Sequence, residues 1–78
     1  MKTKPLNELQ PGEKGRIVSI GIKGKIRLKL MDMGLIKGAE VQVLGIAPLG
    51  DPMEVKLKGF NLSIRKEEAG LIKVEIVA

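Results

Sequence analysis

Charged and apolar residues alternate strictly over Glu54-Val55-Lys56-Leu57-Lys58, and Phe60, Leu62 and Ile64 alternate with Asn61, Ser63 and Arg65. Lys73-Val74-Glu75-Ile76 repeats the pattern. A period of two puts every second side chain on one face, so each segment reads as a strand with one face buried and the other wet. Gly59 is almost the only spacer between the first two segments, which predicts a tight hairpin. Upstream, Arg16-Ile17-Val18-Ser19-Ile20 and Glu40-Val41-Gln42-Val43-Leu44 are β-branched and follow glycine turns at Pro11-Gly12 with Gly15 and at Lys37-Gly38. Five short, closely spaced strands predict a mainly β, small antiparallel barrel. Glu67-Glu68-Ala69-Gly70 reads as a single helical turn ahead of the last strand.

The barrel has little material for a core. A chain of 78 residues makes one domain, residues 1–78, and hides only roughly 60% of its unfolded surface. Phe60 is the sole aromatic, so Ile, Leu, Val and Met must fill the interior. The expected core joins Val55, Leu57, Phe60, Leu62, Ile64, Val74 and Ile76 to Ile17, Val41 and Val43, with Lys56 and Arg65 in water. A one-residue slip would invert every one of these side chains.

Lys25-Ile26-Arg27-Leu28-Lys29-Leu30 resists a single reading. It alternates perfectly, as a strand would, yet Leu, Lys, Arg and Met favour helix and only Ile26 is β-branched. As a helix, Ile26, Leu30 and Met33 share a face with Leu28 and Met31 close beside it; Ile26 and Leu30 would plug one end of the barrel, Lys25 and Lys29 would stay wet, and Gly34 would be a left-handed cap.

Composition removes most chemistry. With no cysteine and no histidine, the chain has no disulfide, no thiolate, no usual general base and neither of the commonest transition-metal ligands. Ser19 and Ser63 have no base to activate them, while Glu67 with Glu68 and Asp51 with Glu54 are poorly placed as carboxylate pairs. The chain is therefore not expected to be an enzyme. Asp32, Asp51, Glu54, Glu67, Glu68 and Glu75 offer only oxygen ligands without the spacing of a coordination loop. No dedicated cofactor is expected from these residues, and a divalent ion should be held only on the order of 0.1 mM or looser. Glycines 12, 15, 21, 24, 34 and 38 lack the lysine and hydroxyl of a phosphate loop and read as turn residues. The net charge of +5 is compatible with nucleic acid, an anionic membrane or an acidic protein face. A basic barrel without exposed aromatic platforms is poorly equipped to stack on single strands. No apolar run approaches a membrane span, and MKTKPLNEL lacks the apolar segment of a signal peptide, so the expected location is the cytoplasm.

Several segments taken together resemble the FeoA family of ferrous iron transport proteins. Leu6-Asn7-Glu8-Leu9-Gln10-Pro11-Gly12-Glu13-Lys14-Gly15 is similar to its L-x-x-L-x-x-G-x-x-G opening, and RLKLMDMG, ending at Met33-Gly34, to its helix end. Gly38 and Val41 fit its G-x-x-V, while Ala47-Pro48-Leu49-Gly50-Asp51-Pro52, Gly59 and Leu62-Ser63-Ile64-Arg65-Lys66-Glu67-Glu68-Ala69 fit its APLGDP…G…LSLRKEEA stretch. The resemblance implies an SH3-like barrel of five to six strands with one inserted α-helix, here Ile26 to Met33. It implies a small cytosolic accessory of ferrous iron uptake that acts by protein contact with the membrane transporter FeoB. On that reading no nucleic acid is bound, the membrane is reached only through the partner, and the chain is a monomer or weak homo-oligomer. The fold also occurs as the C-terminal domain of some metal-dependent transcription regulators. With no helix-turn-helix pattern ahead of the barrel, the standalone accessory is expected. The alternative is a basic small-barrel nucleic-acid or translation-associated module, loosely resembled by PGEKGRIVSI.

APLGDP poses a separate question. Pro48 and Pro52 fix two φ angles and remove two donors, Gly50 can take a positive φ, and Asp51 can accept from backbone amides. Leu49 has no such turn role. Either it folds back to cap the barrel near Met31 and Met33, or it projects to anchor a partner. The expected partner surface combines Met31, Met33 and Gly34 at the helix end with Pro48, Leu49, Gly50, Asp51 and Pro52.

Overall fold

The structure is a computed structural model and describes residues 2–77, with Phe60 described for its backbone alone. The chain runs β1 (Thr3–Pro5), a 3₁₀ turn (Leu6–Glu8), β2 (Lys14–Ile20), α1 (Lys25–Asp32), β3 (Glu40–Ile46), β4 (Met53–Leu57), β5 (Phe60–Ile64), α2 (Lys66–Ala69) and β6 (Ile72–Val77). The six strands form one sheet in the order β1-β6-β2-β3-β4-β5, every adjacent pair antiparallel. The last strand thus inserts between the first two. The sheet rolls around a single apolar cluster, and no buried polar side chain is found among the described residues.

The alternating strands take the expected register. Val55 faces Leu62 and Leu57 faces Phe60 across the β4–β5 hairpin, which turns at Lys58-Gly59. Val55, Leu57, Ile64, Val74, Ile17, Val41 and Val43 are buried, while Lys56 and Arg65 are exposed. The expected place of the Phe60 side chain lies outside the described residues. Leu62 is only partly buried against the cluster, and Ile76 departs from expectation at 41% exposed. Ile76 sits opposite Gly15, which offers no side chain, and lies beyond Glu75, the last β6 residue that β1 reaches, at Thr3. Alternation persists there, but the small partner on one side and the end of β1 on the other leave the residue partly open to water.

The core is larger than the alternation implies, since it also takes in Leu6, Leu9, Ile22, Leu35, Met53, Ala69 and Ile72. Leu6 and Leu9 are both fully buried around the 3₁₀ turn, whose three residues per turn bring i and i+3 onto one side. The Leu9 amide donates to the Leu6 carbonyl at 3.1 Å to close that turn. Burial of each leucine stabilises by about 1.5–3 kcal/mol, a large share for a core this thin. The L-x-x-L-x-x-G-x-x-G opening thereby acquires a physical meaning: two core leucines, a turn at Gly12, and a close strand contact at Gly15.

Lys25–Asp32 is helical, so helix preference prevails over alternation. The ending is a Schellman motif. Gly34, at φ 94°, donates its amide to the Met31 carbonyl at 3.0 Å, and Leu35 donates to the Leu30 carbonyl at 2.9 Å. Leu30 and Leu35 both enter the core cluster. Ile26 does not join the plug as expected and is 50% exposed, because Leu30 alone of the helix reaches the cluster. Lys25 and Lys29 are wet as expected.

Candidate functional site

The β3–β4 connection, residues 47–52, is held in one shape by its own backbone and by a distant element. Gly50 lies at φ 88° and donates to the Ala47 carbonyl at 2.7 Å; Ala47 donates to the Pro52 carbonyl at 3.1 Å. Asp51 carries the tie that matters most for position, since its Oδ1 accepts the Lys66 amide at 2.9 Å. Lys66 opens α2, so a side chain fifteen residues away satisfies one of that helix's free donors. Glu68 Oε1 accepts the Arg65 amide at 3.4 Å and satisfies a second. A side-chain bond of this sort is worth about 1 kcal/mol. The loop is thereby closed on itself and tied at its Asp51 end to the start of α2.

Leu49 answers to none of this. It is 97% exposed, the most exposed large apolar residue described, and it does not fold back onto the barrel. Its flanking prolines and the Asp51 bond present it at little further entropic cost.

The helix-end residues fall on two sides of α1. Met33 shares a depression with Ile26, Lys29 and Leu30 of α1, Leu62 and Ser63 of β5, and Glu68 of α2. Met31 lines a different one, with Arg27, with Ser19 and Ile20 of β2, and with Ile36 and Lys37 of the α1–β3 connection. Gly34 borders a third, beside Ile36, Ala39, Glu40, Leu57 and Lys58. Pro52 lines a fourth with Gly45, Ile46, Ala47 and Glu54. No described depression brings Leu49 together with Met31 or Met33. Asp51 and Lys66 bring the loop to the start of α2, whose Glu68 lies beside Met33.

Of the carboxylates, Asp51 is committed to the Lys66 amide and Glu68 to the Arg65 amide. Among the described residues no three acidic side chains gather as a metal site would require. None of the helices is long and apolar enough to cross a membrane among the described residues.

Residues 4–76 match the FeoA domain. The chain belongs to the FeoA family. It is 34% identical over 73 residues to the Fe(2+) transport protein A/Fe(2+) transporter FeoB fusion protein of Porphyromonas gingivalis, an alignment that covers 94% of this chain and 9% of that one. The chain thus spans about a tenth of that relative's length. The solution structure of an FeoA-like protein from Clostridium acetobutylicum superposes with a TM-score of 0.87 at 41% identity, covering 100% of this chain and 91% of the other. The zinc complex of FeoA from Stenotrophomonas maltophilia, described as a prokaryotic SH3-domain protein, gives 0.77 at 25% identity over 96% and 91%. The fold is accordingly SH3-like, with six strands and the helix inserted after β2. The family is one linked to ferrous iron transport.

Two features of the surface escape a reading of the sequence. The Asp51–Lys66 bond joins two motifs that lie apart in the chain, and the groove beside Met31 depends on β2 and the α1–β3 connection meeting there. The only sequence signal for the groove is the cluster of basic residues between 21 and 38.

Proposed function

We propose that the chain is a cytoplasmic, non-catalytic accessory of ferrous iron uptake that acts by contact with an FeoB-type transporter. The observation that carries this reading is the P. gingivalis relative, in which Fe(2+) transport protein A and FeoB form one fusion protein. Fusion imposes a high effective concentration on two units, which favours their working in contact. Leu49 supports the same reading from the other side. A fully exposed leucine on a pinned loop contributes nothing to the fold, whereas an apolar side chain presented without entropic loss suits an interface anchor.

Leu49→Ser separates these roles. The substitution is expected to change stability by less than about 1 kcal/mol, within the range of surface substitutions. It should clearly lower ferrous uptake when the variant replaces the native chain in cells, and it should weaken capture of the transporter's cytosolic part. A large drop in melting temperature with normal uptake would reduce the loop to a structural turn. Unchanged uptake in cells lacking the chain altogether would remove the transport reading.

Ferrous iron is cargo on this reading and has no resident site on the chain. Titration calorimetry of the purified protein with ferrous or zinc ions should show binding on the order of 0.1 mM or looser, as scattered carboxylates impose no geometry. Sub-micromolar one-to-one binding would contradict this and direct attention to Asp32, Asp51 and Glu54.

A further inference from the structure

Charge is distributed very unevenly over the chain. Between residues 21 and 38, Lys23, Lys25, Arg27, Lys29 and Lys37 stand against Asp32 alone, so this segment carries +4 of the net +5. The same segment leaves Ile26, Leu28, Met31 and Ile36 at 40% exposure or more. On one side of α1 the two properties meet in a concavity of about 380 Å³ lined by Ser19, Ile20, Arg27, Met31, Ile36 and Lys37. Among the described residues its only charges are two cations, Arg27 and Lys37.

The groove is built in advance. Arg27 and Met31 are four residues apart on α1 and share a face. The opposite wall is fastened to β2, because Gly38 donates to the Ile17 carbonyl at 2.7 Å and Ile17 donates to the Ala39 carbonyl at 2.9 Å. The Schellman turn fixes the helix end between these walls. A ligand would therefore pay little to order the site.

We propose that this groove binds a short acidic segment of a partner protein, with one large apolar side chain seated against Ile20, Met31 and Ile36 and flanking carboxylates paired to Arg27 and Lys37. Guanidinium matches carboxylate in a planar, bidentate fork, and lysine adds a mobile point charge. Apolar residues that share a concavity with cations suit a side chain entering from outside. A bilayer would be met better by apolar residues on a convex crest. Nucleic acid is disfavoured because no aromatic residue is among the described residues that line the groove, so bases would find no stacking platform there. The preference for an acidic segment does not depend on which protein supplies it, and it stands apart from the transporter contact through Leu49.

The test uses the intact chain and a short synthetic peptide in which a leucine is flanked by glutamates. Titration followed by amide chemical shifts should move Ile20, Arg27, Met31, Ile36 and Lys37. The double substitution Arg27→Glu with Lys37→Glu should weaken binding at least about tenfold, by reversing both rim charges. Met31→Ser should weaken it as well, whereas Lys56→Glu, on the far strand β4, should not. A peptide with glutamines for glutamates should bind more weakly than the acidic one. Shifts centred on Lys14, Lys56 and Lys58, or no saturable binding, would overturn the proposal. So would tighter binding of phosphatidylglycerol vesicles or a single-stranded oligonucleotide through these same residues. Loss of transporter capture by Leu49→Ser with peptide binding intact would show the two surfaces to be separate.

Discussion

Gly15→Ala is expected to cost about 2 kcal/mol or more of folding stability, although it adds a single methyl group. Gly15 lies on β2 between Val41 of β3 and Ile76 of β6. A Cβ there would stand 2.8 Å from Val74 Cβ and 2.9 Å from Val74 Cγ2, closer than packed carbons approach. Val74 is fully buried and β-branched, so it cannot swing aside, and relief would have to come from separating the strands. A chain of this length is held by only about 4–12 kcal/mol in total, so the loss is severe. Gly45→Ala supplies the comparison. Gly45 sits at the irregularity of β3, and nothing lies within 4 Å of its added Cβ. That substitution should be neutral or slightly stabilising. Urea denaturation of both variants measures the difference; equal midpoints would mean that β2 and β6 are not packed as closely as described.

Leu35→Ala is expected to lose about 2–5 kcal/mol. The residue is fully buried, immediately after the Gly34 turn, and its amide closes the Schellman motif on Leu30. Leu30 is the only buried residue of α1, so the pair provides most of what holds the helix to the barrel. An isolated helix of eight residues has almost no stability in water and depends on such docking. The variant should lose amide protection over Lys25–Asp32 before the strands open, while Met31→Ala, on an exposed position, should retain it. A loss below about 1 kcal/mol, or α1 protection unchanged, would show that the helix is held elsewhere.

Both substitutions act where local pattern and tertiary contact coincide, and the rest of the molecule shows how far each extends. The strands β4 and β5 and their hairpin were legible because a period of two is a property of the backbone itself. Val55, Leu57 and Ile64 go inward wherever that segment pairs. The helix end was legible for a similar reason: Gly34 adopts a conformation that other residues resist. The resemblance in the opening motif pointed to the SH3-like fold, though not to the burial of Leu6 and Leu9. A three-residue 3₁₀ turn is too short to show a period, and β1 is too short to show alternation.

What the sequence determined by itself is thus the family, the alternating strands, the absence of histidine and thiol chemistry, and an apolar residue in a turn that needs none. The tertiary structure decided the remainder. It exposed Ile76 in part because Gly15 and the early end of β1 cover it poorly, and it exposed Ile26 because only Leu30 of the helix reaches inward. It tied Asp51 to Lys66, sent Leu49 into solvent, and brought Arg27 and Lys37 to one groove with Ile20, Met31 and Ile36. The physical reason is the range of the interaction. Backbone period and turn preference act over a few neighbouring residues and leave a mark on the sequence. Burial and charge pairing depend on which distant segments the folded chain brings side by side.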